Sequence, residues 1–251
     1  MGAIVRHNIG NGGHWYEIDG RKADGVTTLL RDGIPKPGLV KWAAESTAGY
    51  ALDHWDELSE MPLSQRLTQM TTARQAESRR AIISGQRVHQ LGRQLAAGQE
   101  VDVPDDLAGH VRSYVQFLDE WEPDPLLIEA TVANRAVHYA GTLDLLARVF
   151  DAESWLFDIK TGNRVYGETA LQLAAYAYAE CWLDADGNEH PMPEVNAAAI
   201  IHVRSDGYSV YRVPLDGQVF GLFRHVAFVA RHMPTMHGWI GAPISHDMAR
   251  L

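Results

Sequence analysis

The stretch GTLDLLARVFDAESWLFDIKTG, residues 141–162, predicts two β-strands joined by a tight turn. Its aliphatic and β-branched residues are typical of strands, and the DAES segment is typical of a turn. Asp158 and Lys160 are two residues apart in the second strand and therefore share one of its faces. If the strands pair antiparallel, an even register places Asp144 on that same face, whereas an odd register places it on the other. The even register would gather two carboxylates and an ammonium group among apolar neighbours.

Two interpretations of this arrangement are open. Charges inside an apolar strand are costly unless they are paired or bind a cation, so a structural Asp–Lys pair is the simpler one. Gln172 and Tyr176 in the following ALQLAAYAYA segment are four residues apart and share one helix face. An unsatisfied Gln172 amide in this Ala- and Leu-rich helix would be costly. The helix therefore favours a polar site over an isolated ion pair.

Taken in order, GTLD, DIKTG and QLAAY resemble the motifs of the PD-(D/E)XK nuclease superfamily. More narrowly, they resemble its RecB-type exonuclease branch, which includes phage recombination exonucleases and the CRISPR-adaptation exonuclease. That branch carries a histidine on an upstream helix, and SGQRVHQLG provides His89. Gly85 and Gly92 share its helix face and would let that face approach a sheet closely.

The resemblance implies a metal site for one or two Mg²⁺ or Mn²⁺ ions, which prefer hard oxygen ligands. Its implied ligands are His89, Asp144, Asp158 and the backbone carbonyl of Ile159. Lys160 would position or activate the attacking water and stabilise charge on the phosphate.

The resemblance gives three more residues a place near this site. Gln172 and Tyr176 would support it or contact the DNA backbone. Glu129 falls where such nucleases carry an acidic residue before the GxxD strand. A position just outside the metal ligands and a solvent-facing position on an edge strand are both open for Glu129.

The implied activity is a DNA exonuclease that hydrolyses phosphodiester bonds from DNA ends in recombination, repair or phage DNA processing. A structure-selective endonuclease on the same fold, and a non-cleaving module that binds DNA or protein, are the alternatives. Several relatives hold an iron–sulfur cluster, but the single cysteine, Cys181, cannot supply its ligands. No GxxxxGK[ST] motif occurs, so no nucleotide cofactor is expected. DNA is the expected partner; a recombination or annealing protein and an oligomer are left open.

The charge balance limits how DNA could be bound. The net charge of −10 argues against a broad basic surface. Five arginines nevertheless fall between residues 71 and 94, opposed by one glutamate: Arg74, Arg79, Arg80, Arg87 and Arg93. They form either a solvated helix face or a phosphate-contact surface, and we expect Arg79, Arg80 and Arg87 to contact DNA.

The order of the elements predicts an α/β fold with a restriction-endonuclease-like core, a small mixed sheet flanked by helices. Helices are expected over residues 39–55, 64–97, 105–121, 168–181 and 216–232, the last with Asp216 as its N-cap, and a hairpin over 196–213. A short strand over residues 15–19 would end at an Asp-Gly turn, and residues 126–150 would form a pair of strands. Residues 1–60 would be a largely helical segment packed on a core of residues 61–251. No apolar stretch approaches about 20 residues and no apolar leader begins the chain, so we expect no membrane contact. The expected location is the cytoplasm of a bacterium, with the chain bacterial or phage-encoded.

Overall fold

The computed structural model describes residues 2–10, 13–150 and 152–243, without the side chains of residues 73–82 and 237. This part of the chain contains both helices and mixed sheets, which confirms the predicted α/β class. No helix within it has both the length and the apolar character needed to cross a membrane.

The helices follow the predicted order. They are α1 Val26–Gly33, α2 Pro37–Asp53, α3 Trp55–Ser59, α4 Leu63–Ala96, α5 Ala108–Trp121, α6 Glu168–Ala177 and α7 Gly217–His232. Short 3-10 segments precede α5 at Asp105–Leu107 and follow α7 at Met233–Trp239. α5 ends where Glu122 adopts a left-handed conformation, with φ of 43°, directly before Pro123. α6 is shorter than predicted, because the chain turns at Tyr178 and enters a strand at Cys181.

The strands of the described chain form two sheets. The first seven are β1 Ile4–Ile9, β2 Gly13–Ile18, β3 Arg21–Gly25, β4 Asp124–Ile128, β5 Thr131–Asn134, β6 Tyr139–Thr142 and β7 Leu145–Val149. The others are β8 Glu153–Lys160, β9 Cys181–Leu183, β10 Glu189–Pro191, β11 Ala197–Arg204 and β12 Gly207–Val213. One sheet has the order β12-β11-β8-β7-β4, and the other has the order β1-β2-β3-β6-β5-β9-β10.

The β7–β8 hairpin has the even register. Leu145 pairs with Phe157, so the register carries Asp144, the residue before β7, to the position opposite Asp158. β8 pairs in parallel with β11 on its other edge, which makes this sheet mixed, as predicted. The two aspartates therefore meet at one end of the hairpin.

Each face of the five-stranded sheet packs against a different layer. Phe157 and Ile159 of β8 pack on the side of Phe117 from α5. Leu156 belongs to the core shared with Leu173 of α6, and with α1 and α7. Because alternate residues point to opposite faces, Asp158 and Lys160 lie on the same side of the sheet as Leu156 and α6.

The N-terminal segment differs from the largely helical prediction. Its predicted strand and Asp-Gly turn are confirmed, since Asp19 and Gly20 have φ of 52° and 75°, as tight hairpin turns require. Two further strands, β1 and β3, flank that strand. β3 then pairs in parallel with β6, Asp24 opposite Tyr139, which joins the hairpin to the seven-stranded sheet. Residues 126–150 likewise form four short strands and not the predicted pair, since β5 and β6 pair outside the β7–β8 sheet.

The predicted N-cap of α7 provides a test of the fold. The Asp216 carboxylate accepts hydrogen bonds from the amides of Gln218 and Val219 at 2.8 and 3.0 Å. We expect Asp216→Ala to lower the free energy of unfolding by about 1 kcal/mol in urea denaturation. Asp216→Asn keeps an acceptor oxygen and should lose clearly less. Equal losses in the two variants would contradict a capping role.

Candidate metal centre

Asp158 is the most deeply buried charged group of the centre. Its side chain is 2% exposed and lies 2.6 Å from the Lys160 ammonium, through Oδ2. Oδ1 accepts a hydrogen bond from Gln172 Nε2 at 2.8 Å. Among the described residues no donor meets Oδ2 in hydrogen-bonding geometry, so this buried oxygen can still accept a cation. Burial raises the pKa of Asp158 to about 6; the Lys160 charge opposes this shift and the Asp144 charge adds to it.

Asp144 is held by contacts on both carboxylate oxygens. Oδ2 accepts from the Ile159 amide at 2.7 Å, and Oδ1 lies 3.5 Å from His89 Nδ1. Burial favours the neutral acid, but the charge and hydrogen bond of His89, the Lys160 charge and the Ile159 amide together lower the pKa of Asp144. Burial would likewise lower the pKa of His89, but Asp144 beside it raises that pKa to about 9. Without a metal the two groups therefore form an ion pair, and a metal would compete with the imidazole proton.

Glu129 joins this pair from the turn between β4 and β5. His89, Glu129 and Asp144 each offer a ligand atom, and these atoms lie within 4.8 Å of one another. Of the two positions left open by the sequence, the structure thus shows the one beside the candidate ligands His89 and Asp144. Burial raises the pKa of Glu129 to about 7, and Asp144 adds to the shift.

The backbone of Glu129 explains how its side chain reaches the centre. Its φ of 49° is unusual for a residue with a side chain, and its amide donates to the Asp144 carbonyl at 2.9 Å. Such strained backbone positions persist where neighbouring structure enforces them, and they cluster at functional sites.

The predicted carbonyl ligand, Ile159, lies near the C-terminal end of the central strand β8. In a strand, the amide and carbonyl of one residue point to the same neighbouring strand. Since the Ile159 amide donates to Asp144, its carbonyl also points towards that side of β8. Its role as a ligand stays a prediction.

Gln172 and Tyr176 lie on one face of α6, as predicted. Gln172 Nε2 is 3.4 Å from the Tyr176 hydroxyl as well as bonded to Asp158. Tyr176 is buried against Gly141 of β6, where a Cβ atom would lie 2.4 Å from the Tyr176 ring. The glycine of GTLD is thus needed for the close approach of this ring.

The glycines around His89 make two different contacts. A Cβ at Gly85 would lie 3.3 Å from Thr161 Oγ1, so Gly85 brings α4 close to the loop that follows β8. A Cβ at Gly92 would lie 3.3 Å from the Tyr114 ring. Only Gly85 therefore serves the predicted approach to the sheet, while Gly92 serves packing against α5.

The predicted DNA-contact arginines are only partly described. The side chains of Arg79 and Arg80 lie outside the described residues. Arg87 forms a salt bridge with Asp106 at 3.0 Å. Contact between Arg87 and DNA stays a prediction. Arg93, from the same arginine group, lines a cleft over the metal centre.

The cleft has a volume of about 920 Å³, and Glu129, Asp144, Asp158 and Lys160 lie at its base. One wall comes from α4, including His89. The other comes from strands β1–β3, called the N-terminal hairpin below. Its residues Arg6, His14 and Tyr16 were not predicted as site residues from the sequence. Their positions depend on the pairing of β3 with β6, and no local motif signals a pairing so distant in the chain.

Comparisons with known proteins leave the chain without a named relative. No known protein family and no curated protein matches it. It is similar to the protein in a solved structure described as SSO0001, with 14% identity over 87% of this chain and 76% of that chain. The TM-score is 0.32, too low to carry an argument about fold or function.

The donor set predicts a site for a divalent ion. We expect Mn²⁺ titration calorimetry to detect binding that weakens about tenfold or more in Asp144→Asn, Glu129→Gln and His89→Ala. His225→Ala is the matched control, because this histidine bonds the Gly221 carbonyl within α7. Wild-type affinity in His89→Ala would make His89 a structural residue and leave the carboxylates as the ligands.

Proposed function

We propose that this protein is a divalent-metal-dependent nuclease that hydrolyses phosphodiester bonds from DNA ends. The observation that carries the proposal is the buried pair of Asp144 and Asp158 beside Lys160. The Lys160 ammonium contacts Asp158 Oδ2 outside hydrogen-bonding geometry, and His89 and Glu129 lie beside Asp144. An ion pair with a purely structural role would not need three carboxylates at the base of an open cleft.

The residues present fit Mg²⁺ or Mn²⁺, because carboxylate oxygens dominate the donor set and one imidazole completes it. His89, Glu129, Asp144, Asp158 and the Ile159 carbonyl would hold the ion. When bound, such an ion lowers the pKa of a water molecule and polarises the phosphate.

The chain's own residues would orient and stabilise the reacting groups. Lys160 supplies a fixed positive charge next to Asp158, suited to charge that develops on phosphate oxygens. Gln172 fixes the Asp158 carboxylate from α6, and Tyr176 fixes Gln172. The Ile159 amide fixes Asp144 in the same way. The candidate ligands are therefore oriented before substrate arrives.

Action from DNA ends is supported by the walls of the cleft. The hairpin stands on one side of the centre and α4 on the other, so a strand would enter between them. The resemblance to RecB-type exonucleases points the same way. The expected setting is recombination, repair or phage DNA processing in the cytoplasm of a bacterium.

Substitutions in β8 test the nuclease. Asp158→Asn and Lys160→Ala should each reduce Mn²⁺-dependent cleavage of linear DNA at least a hundredfold, since they remove a metal ligand and the phosphate-facing charge. Circular dichroism should be unchanged. Asp186→Asn and Lys41→Ala, both at exposed positions, are the matched controls. Activity within tenfold of wild type in either β8 variant would contradict its assigned role.

Closed circular DNA tests the requirement for an end. With Mn²⁺ or Mg²⁺, we expect linear DNA to be degraded to short products while covalently closed circles of the same sequence survive. Asp158→Asn protein, purified in parallel, controls for contaminating nuclease. Comparable cutting of both forms by the wild type would favour the structure-selective endonuclease, whereas cleavage of neither would favour the non-cleaving module.

A further inference from the structure

Two arginines from separate elements line the cleft over the metal centre. Arg6 comes from β1 in the N-terminal hairpin, and Arg93 comes from the last turn of α4. Both are close enough to Glu129 for their charges to lower its pKa against the effect of burial. The cleft thus has a guanidinium group on each of its two walls.

A chain of polar contacts ties Arg6 to the strand that leads to Asp144. Arg6 Nη2 lies 3.5 Å from His14 Nδ1, and His14 Nε2 lies 2.9 Å from the Tyr16 hydroxyl. That hydroxyl lies 2.9 Å from Thr142 Oγ1. Arg6 is therefore held by contacts that reach the GTLD segment itself, even though it comes from the other end of the chain.

The direction of these contacts follows from the state of His14. Burial and the Arg6 charge both lower the pKa of His14, so the ring is neutral near pH 7. A neutral ring can accept from Arg6 at Nδ1 and donate to Tyr16 at Nε2. Tyr16 can then donate to Thr142, so that every group in this series of contacts has a compatible donor or acceptor role.

Neither guanidinium has an ionic partner within the described residues. Arg87, Arg135, Arg148 and Arg231 each form a salt bridge with a carboxylate, whereas Arg6 and Arg93 form none there. Arg6 is exposed to the cleft, so its charge is available to an anion. The planar guanidinium group is suited to bidentate contact with phosphate.

The size of the cleft indicates which form of nucleic acid enters it. A volume of about 920 Å³ is that of a pocket for a compact ligand, for which about 300–1,000 Å³ is usual. A few nucleotides of one strand suit such a volume, whereas a duplex would bring a second strand with every nucleotide held there.

We propose that the cleft binds one strand of DNA and that Arg6 and Arg93 hold its phosphates from opposite walls. The inference rests on the proposed nuclease function and names the substrate form and two positioning residues for it. Arg93 belongs to the group of five arginines for which the sequence left a phosphate-contact surface open, whereas Arg6 lies outside that group.

The experiment measures binding of a fluorescent single-stranded oligodeoxynucleotide by anisotropy, in EDTA, over a range of salt concentrations. Each phosphate contact contributes about 0.7 to the log–log slope for a single strand. We expect Arg6→Gln and Arg93→Gln each to lower the slope by about 0.7. Arg148→Gln is the control on a paired arginine and should keep the wild-type slope. Arg6→Lys keeps the positive charge and should therefore keep the wild-type slope. This variant separates the loss of a phosphate contact from damage to the N-terminal hairpin.

The outcomes separate this inference from the nuclease proposal. Asp158→Asn should bind the strand with the wild-type slope but not cleave it in Mn²⁺. Unchanged slopes in both Arg6→Gln and Arg93→Gln, or no binding by the wild type, would overturn the inference whatever the cleavage assays show. A blunt duplex that binds as tightly as the single strand, with the same loss in Arg6→Gln, would overturn the choice of a single strand.

Discussion

Two carboxylates buried face to face are the constraint on which the rest of the structure depends. Asp144 and Asp158 repel each other in a medium that screens charge poorly, so each needs compensation from nearby groups. Three elements supply it: β8 through Lys160 and the Ile159 amide, α4 through His89, and α6 through Gln172. The Lys160 ammonium compensates one buried oxygen of Asp158, and a divalent cation beside the two carboxylates would relieve their repulsion further.

Much of this centre could be predicted from the sequence because it is built on local periodicity. The i and i+2 spacing in β8 and the tight turn before it limit Asp144 to two registers, and the motif order favours the observed one. The i and i+4 spacing in α6 places Gln172 and Tyr176 on one face. The single helix N-cap identified from sequence, Asp216, also forms, because capping depends only on the next three residues.

The rest could not be predicted because it depends on contacts between distant segments. Arg6 and His14 reach the centre only through the parallel pairing of β3 with β6, which has no sequence signature. Glu129 reaches it through a left-handed backbone conformation that favours glycine or asparagine over glutamate. Arg87 has another contact that the sequence does not signal. It belongs to a basic cluster in sequence, and Asp106 from the segment before α5 forms a salt bridge with it in space.

The β3–β6 pairing also has a consequence for how the molecule assembles. The β1–β3 and β5–β6 hairpins contain short-range contacts and can form early, each by itself. The cleft closes only when β3, near the start of the chain, docks on β6, near its middle, and such non-local pairings are the slow ones in folding. During synthesis, β3 of the N-terminal hairpin therefore stays an unpaired edge strand until β6 has been synthesised. The last event to complete the cleft is a docking step between two preformed hairpins, and its rate should depend on the length of the helical segment that separates them.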